Sequence, residues 1–235
     1  MVYSTSAGSA RRSDARPVTR SRWLACAVCL SLLPGGCAQA GRRPHRPATS
    51  DEPLVDLARF DPRIVLDIRY ATPDNFLGRA VYPRPCCFVR ESVAGRLRAV
   101  QDDLTRDGLG LKVFDGFRPL WVQREMWRLV PNPRYVADPA VGSRHNRGAA
   151  VDVTLVDAAG RELTMPTAFD DFSPAAHRAW RGGDARALAN RERLERAMSA
   201  HGLVGMDSEW WHFDAENWRD YPIVPDGGEP DCFLR

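Results

Sequence analysis

Gly142-Ser-Arg-His-Asn-Arg-Gly-Ala-Ala-Val-Asp-Val-Thr-Leu-Val156 is the stretch from which the rest of the chain is best read. Its first half is polar and bracketed by Gly142 and Gly148, as a loop requires. Its second half alternates. Val151, Val153 and Leu155 fall on one face of a strand, and Ala150, Asp152 and Thr154 on the other. If the aliphatic face packs a core, the opposite face must be polar or line a cleft. Asp152 stands on that face, and His145 lies in the loop that leads into it.

Outward from this strand, helical and extended patterns mix. Residues 92–106 carry Val93, Leu97, Val100 and Leu104 at spacings of 4, 3 and 4, which predicts an amphipathic helix stopped by Gly108. Leu109 to Phe114 predicts a short strand, and Ile64 to Tyr70 is β-rich. Pro119 opens a helix that runs through Leu129, since proline costs nothing where a helix has no N–H partner. Pro131 and Pro133 end it, and residues 131–147 read as a loop. Asp184 to Ala200 predicts an Arg/Glu-laced helix with Leu188, Leu194, Ala197 and Met198 as its stripe. Glu209 to Asp214 predicts a last core strand. Regular βαβ alternation is absent, so α+β is preferred to doubly wound α/β.

The net charge of +3 divides unevenly: residues 1–40 hold five Arg and one Asp, residues 41–50 three more Arg, and residues 51–235 are left with −4. The basic charge sits in a tail, so the body offers no support for nucleic-acid binding. The tail has the form of an export signal. Arg20 and Arg22 precede an uncharged run from Trp23 to Leu33, too short to span a bilayer of roughly 30 Å but suited to a signal-peptide apolar segment. Ala38-Gln39-Ala40 offers one cleavage site. Leu33 to Cys37 resembles a bacterial lipobox with its Leu displaced by one position, and would place a lipid on Cys37. Residues 1–40 are thus expected to be a signal peptide directing the chain to the periplasm, soluble or membrane-tethered. Residues 41–53 read as a flexible linker in which His45 is solvated. In an oxidising compartment Cys232 would pair with Cys86 or Cys87, leaving one thiol free.

Two imidazoles, His145 and His212, and the Asp152 carboxylate form the kind of three-ligand set that catalytic zinc uses, with a fourth position open for water. Glu209 lies three residues before His212, where a carboxylate could serve as general base. Residues three apart on a regular strand face opposite sides, so both can reach one cleft only if a turn or bulge intervenes near Trp210. His177 and His201 lie in Arg-rich helical surroundings and read as surface residues.

Ser143, His145, Gly148, Ala150 and Asp152 fill the pattern S-x-H-x-x-G-x-A-x-D, and Glu209-Trp-Trp-His212 follows it. In these elements the chain resembles the M15 zinc peptidases, a family of the Hedgehog/DD-peptidase-like fold, which implies an α+β single compact domain with a central antiparallel sheet and flanking helices. Tyr70-Ala-Thr-Pro-Asp-Asn-Phe-Leu-Gly78 and Asp115-Gly-Phe-Arg-Pro119 extend the resemblance to the VanX-type D-alanyl-D-alanine dipeptidases, over residues from about 54 to 230. The resemblance implies a catalytic domain over residues 54–235 that hydrolyses D-alanyl-D-alanine in cell-wall metabolism. It implies one Zn²⁺ held by His145, Asp152 and His212, and Glu209 as general base and acid. Arg118 would stabilise the oxyanion, Ser143 and Asp170 would hold the substrate ammonium, and Tyr70 would line a small pocket. The alternatives are a peptidoglycan carboxypeptidase of the same family and a non-catalytic zinc-binding cell-wall module. A binding module has no use for Glu209 or Arg118, and Glu-Trp-Trp-His favours the dipeptidase over the carboxypeptidase.

Overall fold

The computed structural model describes residues 52–234. The expected signal peptide, Cys37, His45 and the linker through Asp51 lie outside the described residues. Glu52 and Pro53, grouped with the linker by composition, pack onto the body: the Glu52 carboxylate accepts from the Ser92 N–H, and the Pro53 carbonyl accepts from the Glu91 N–H at 3.1 Å.

A short ladder comes first. β1 (Leu54–Asp56) pairs antiparallel with β3 (Phe88–Arg90), with the one-turn helix α1 (Leu57–Phe60) and β2 (Val65–Leu66) between them in sequence. The helix α2 (Glu91–Arg106) buries Val93, Leu97, Val100 and Leu104, the expected stripe. β4 (Leu109–Asp115), α3 (Leu120–Leu129) and β5 (Ala150–Asp157) follow, then α4 (Ala185–Ser199), β6 (Leu203–Met206) and β7 (Glu209–Ala215). The main sheet has the order β2-β4-β5-β7-β6. All its pairings are antiparallel except β2 with β4, which is parallel and sits at the edge. α2 and α4 touch each other and pack on the sheet through β4 and β6.

Three expectations are corrected. The β-rich stretch Ile64 to Tyr70 yields only Val65–Leu66 as strand; the Asp67 N–H donates to the Val113 carbonyl at 2.9 Å, and the chain then winds into a single turn of 3₁₀ helix, Arg69–Ala71, that buries Tyr70. In α4 the buried positions are Ala187, Arg191, Leu194 and Met198, one position away from the expected Leu188, so the stripe contains a buried arginine. Asp184 is the cap of that helix and not its first residue: its Oδ1 accepts from the N–H groups of Arg186 and Ala187 at 2.6 and 3.0 Å.

The C-terminus is anchored. Cys86 and Cys232 form a disulfide, and Phe233 inserts among the rings of Tyr82, Phe88 and Phe117 at centroid distances of 5.2 to 6.2 Å. Burying a phenyl ring fully contributes about 1.5–3 kcal/mol. Among the described residues Cys87 is the free thiol, and it is buried.

Candidate active site

Sheet register builds the site. Asp115 of β4 is opposite Asp152 of β5, and Asp152 is opposite His212 of β7. Residues opposite one another across a ladder share a face, so the three side chains stand in a row on one side of the sheet. β5 is buried on both faces, with Asp152 only 3% exposed. The expected polar face is thus a cleft wall. His145 arrives from a 3₁₀ turn, His145–Arg147, that ends the loop before β5. Gly148 closes that turn at φ 67°, and any side chain there would also collide with Leu54.

The expected bulge near Trp210 is present. Gly205 pairs with Phe213 and Met206 with Glu209, so one step along β6 spans four along β7. The extra residues bury Trp210 and Trp211 and turn Glu209 and His212 to a common cleft. That cleft, of about 350 Å³, is lined by all the candidate residues: Tyr70, Arg118, Ser143, His145, Asp152, Asp170, Glu209 and His212.

His145 Nε2, His212 Nδ1 and Asp152 Oδ1 converge, at 3.2 Å between the imidazoles and at 3.5 and 3.0 Å from the carboxylate. The remaining nitrogens fix the tautomers. His145 Nδ1 donates to the Gly116 carbonyl at 2.7 Å, and His212 Nε2 donates to Asp214 Oδ1 at 2.9 Å. Two neutral rings and the Asp152 carboxylate therefore turn three lone pairs toward one buried point, an arrangement that demands a cation. Without a metal a proton answers that demand. Burial opposes a charge on His212, but Asp152 and Asp214 outweigh it and push its pKa up to about 10. Burial also works against the ionised Asp152, yet the two imidazoles hold its carboxyl below the ordinary range. Donors about 2.0–2.1 Å from a tetrahedral zinc are roughly 3.3–3.4 Å apart, so the set fits such an ion.

Around this cluster stand groups of opposite character. The Glu209 carboxylate has no hydrogen-bond or ion-pair partner among the described residues, and burial raises its pKa. Arg118 donates Nε–H and Nη2–H to Asp115 Oδ2 at 3.2 and 2.8 Å and Nη1–H to Gln123 Oε1 at 3.1 Å. A guanidinium has five N–H groups, so two remain for a ligand. Asp115 also accepts from the Tyr82 hydroxyl at 2.7 Å and the Gly116 N–H at 2.9 Å. Asp170 sits at φ 61°, and its carboxylate accepts from the Tyr70 hydroxyl at 3.1 Å and the Phe76 N–H at 3.2 Å. Burial pushes its pKa up to about 7. Ser143 Oγ accepts from the His145 N–H at 3.2 Å.

Asp214, Gln123 and Tyr82 were not singled out by sequence reasoning, and Asp115 entered only as part of the Asp115–Pro119 motif, with no role. Asp214 carried the one usable signal, because residues two apart on a strand share a face and it follows His212 by two. Of the other histidines, His177 is exposed, and His201, half-buried, lies away from the cleft, paired with Asp103 at 2.7 Å.

The His145–Asp152–His212 cluster, with a buried carboxylate and a guanidinium beside it, suits a metallopeptidase. A family model described as D-ala-D-ala dipeptidase, of the peptidase M15 group, matches residues 50–223. The chain is 35% identical over 181 residues to the D-alanyl-D-alanine dipeptidase of Escherichia coli K12, covering 77% of this chain and 93% of that one. It is 31% identical over 188 residues to the enzyme of the same name from Streptomyces coelicolor, covering 67% and 92%. A solved vancomycin-resistance D,D-dipeptidase in complex with a D-Ala-D-Ala phosphinate analogue aligns with a TM-score of 0.37 at 16% identity, over 69% of this chain and 66% of that one. The chain belongs to the D-Ala-D-Ala dipeptidase family of M15 peptidases.

Proposed function

We propose that the chain hydrolyses free D-alanyl-D-alanine to two molecules of D-alanine, in the turnover of peptidoglycan precursors, with one Zn²⁺ held by His145, Asp152 and His212. The observation that carries this reading is the placement of Asp170 and the metal-binding cluster in one small cleft, together with Glu209 and Arg118. A carboxylate in the cleft suits a free ammonium, and a dipeptide carries one only one residue away from the bond to be cut.

Zinc, when bound, supplies a Lewis acid for the scissile carbonyl and lowers the pKa of water. The protein does the rest. Glu209, unpaired and raised in pKa, takes a proton from the attacking water and passes it to the leaving amine. Arg118 aims its two remaining N–H groups at the developing oxyanion, and Asp115 and Gln123 hold it there. Asp170 and Ser143 hold the substrate ammonium, and Tyr70 closes the pocket beside them.

A longer peptide would put an extension where Asp170 expects a charge. It would leave that carboxylate unpaired at a cost of about 1–3 kcal/mol, and steric exclusion adds to this. The test is kcat/KM for D-Ala-D-Ala against a pentapeptide stem ending in D-Ala-D-Ala. Preference for the dipeptide by several orders of magnitude is expected, and equal values would point to a carboxypeptidase.

We further propose export to the periplasm, in a form that begins at Cys37 or at Gly41. Support comes from the signal-like residues 1–40 and from the Cys86–Cys232 disulfide, a bond that persists in oxidising compartments. Protein recovered from its own cell with Met1 intact would contradict this.

A further inference from the structure

The β7 irregularity that turns Glu209 and His212 to one cleft breaks the ladder and leaves buried carbonyl groups in need of donors. Arg178 supplies them from outside the cleft. It follows the Pro174–Ala176 turn and is 8% exposed. Its Nε–H donates to the Met206 carbonyl at 2.8 Å. Its Nη2–H groups are shared among the carbonyls of Glu209, Trp210 and His212, at 3.3, 3.1 and 2.8 Å. Its backbone N–H donates to the Asp207 carbonyl at 2.9 Å. The guanidinium lies 4.3 Å from the centroid of the Phe213 ring, and Glu195 of α4 stands 3.5 Å from Nη1. One side chain thus grips both sides of the β6–β7 turn. Gly205 leaves room for it, because a methyl group there would overlap the guanidinium.

We propose that Arg178 is a positioning residue for the hydrolysis: it clamps the β6–β7 irregularity that sets Glu209 against the His145–Asp152–His212 cluster, with Gly205 admitting it. This rests on Glu209 being the general base. Arg178 is absent from the cleft lining and acts only through the backbone it holds. A fork of fixed N–H groups suits four carbonyls better than the single ammonium of lysine.

The test compares Arg178→Met, Arg178→Lys, Gly205→Ala and the Arg178→Met/Gly205→Ala double variant as zinc-loaded enzymes. Zinc content, melting temperature, kcat, KM, the pH profile of kcat/KM and hydrogen exchange over residues 203–215 are measured. Arg178→Met should lose roughly 100-fold in kcat, the scale of an ångström-level misplacement. Its KM should change little, its zinc should stay near wild type, and exchange should quicken over residues 206–212. The acid limb of the profile, set by Asp170 and not by Glu209, should stay in place. Arg178→Lys should recover part of kcat. Gly205→Ala should imitate the loss alone and add nothing in the double variant. Three results would each overturn the proposal: wild-type kcat in folded Arg178→Met, rate loss matched by zinc loss, or additive effects in the double variant. If Arg178→Met does not fold, Gly205→Ala decides, and wild-type kcat in that variant overturns the proposal. An active Glu209→Ala variant would instead remove the base assignment on which the proposal rests.

Discussion

Replacing Asp214 by Asn isolates the group that orients His212. Asp214 Oδ1 accepts from His212 Nε2 at 2.9 Å, while Oδ2 faces Arg144 at 3.3 Å. Asparagine keeps the volume and one accepting oxygen, so packing should survive. What disappears is the negative charge that strengthens Nδ1 as a donor toward a metal. Loss of such a partner typically weakens metal affinity 10–100-fold, or about 1.4–2.7 kcal/mol. Burial favours the upper part of that range, since His212 is 4% and Asp214 8% exposed and the field between them is poorly screened. Arg144, with its side chain 37% exposed, already neutralises part of the Asp214 charge and pulls the effect down. A loss of roughly 30-fold is therefore expected. Competition against a chromophoric chelator at neutral pH measures it. Affinity within about a factor of two of wild type would show that the Asp214 charge does not strengthen His212 as a ligand, and would refute that role.

Asp170 should leave its mark on pH dependence. Its pKa rises from an ordinary 3.8 to about 7 through burial, so below about pH 7 it is protonated and cannot hold an ammonium. kcat/KM for the dipeptide should fall as pH drops through 7, and Asp170→Asn should lower kcat/KM and flatten that limb. The sign for stability is the reverse of a salt-bridged carboxylate. The folded state holds the proton more tightly than the unfolded chain, so Asp170 costs stability as pH rises from about 4 to about 7. Asp170→Asn should therefore melt higher than wild type at pH 8 and equally at pH 3.5, by thermal denaturation. Arg118→Lys should cost roughly 10²–10³ in kcat, because lysine cannot hold Asp115 and Gln123 and still present two donors to an oxyanion; steady-state kinetics with unchanged zinc content checks it.

Much of this architecture was legible because periodicity reports burial. Val93, Leu97, Val100 and Leu104 sit where a 3.6-residue repeat places them, and the alternation of Ala150 to Val156 marks a central strand. The need for a bulge near Trp210 followed from stereochemistry alone, because Glu209 and His212 could not otherwise share a cleft. Long-range partnerships were not legible. Nothing local says that Asp115 will hold Arg118 under the Tyr82 hydroxyl, or that Arg178 will satisfy four carbonyls of a hairpin thirty residues on. The short strands β1, β3 and β6 escaped because three or four residues carry too little pattern. In α4, Arg191 stands outside the apolar stripe that the spacing predicts, yet it is buried. The long aliphatic stem of arginine lets it be buried while its head donates to the His177 and Trp180 carbonyls at 3.3 and 3.0 Å. Asp170 was placed by family resemblance. Its left-handed backbone, which turns the carboxylate back to Tyr70 and Phe76, has no signature in Ala168-Phe169-Asp170.

Separating metal from base tests the site most directly. Wild type, Glu209→Ala and the His145→Ala/His212→Ala double variant are purified, and each is assayed for zinc per chain and for hydrolysis of D-Ala-D-Ala with and without chelator. Wild type should hold one zinc and lose its activity to chelator. Glu209→Ala should keep that zinc and lose turnover, and the double variant should lose both. Zinc lost from Glu209→Ala, or stoichiometric zinc kept by the double variant, would contradict the assignment of ligands and base.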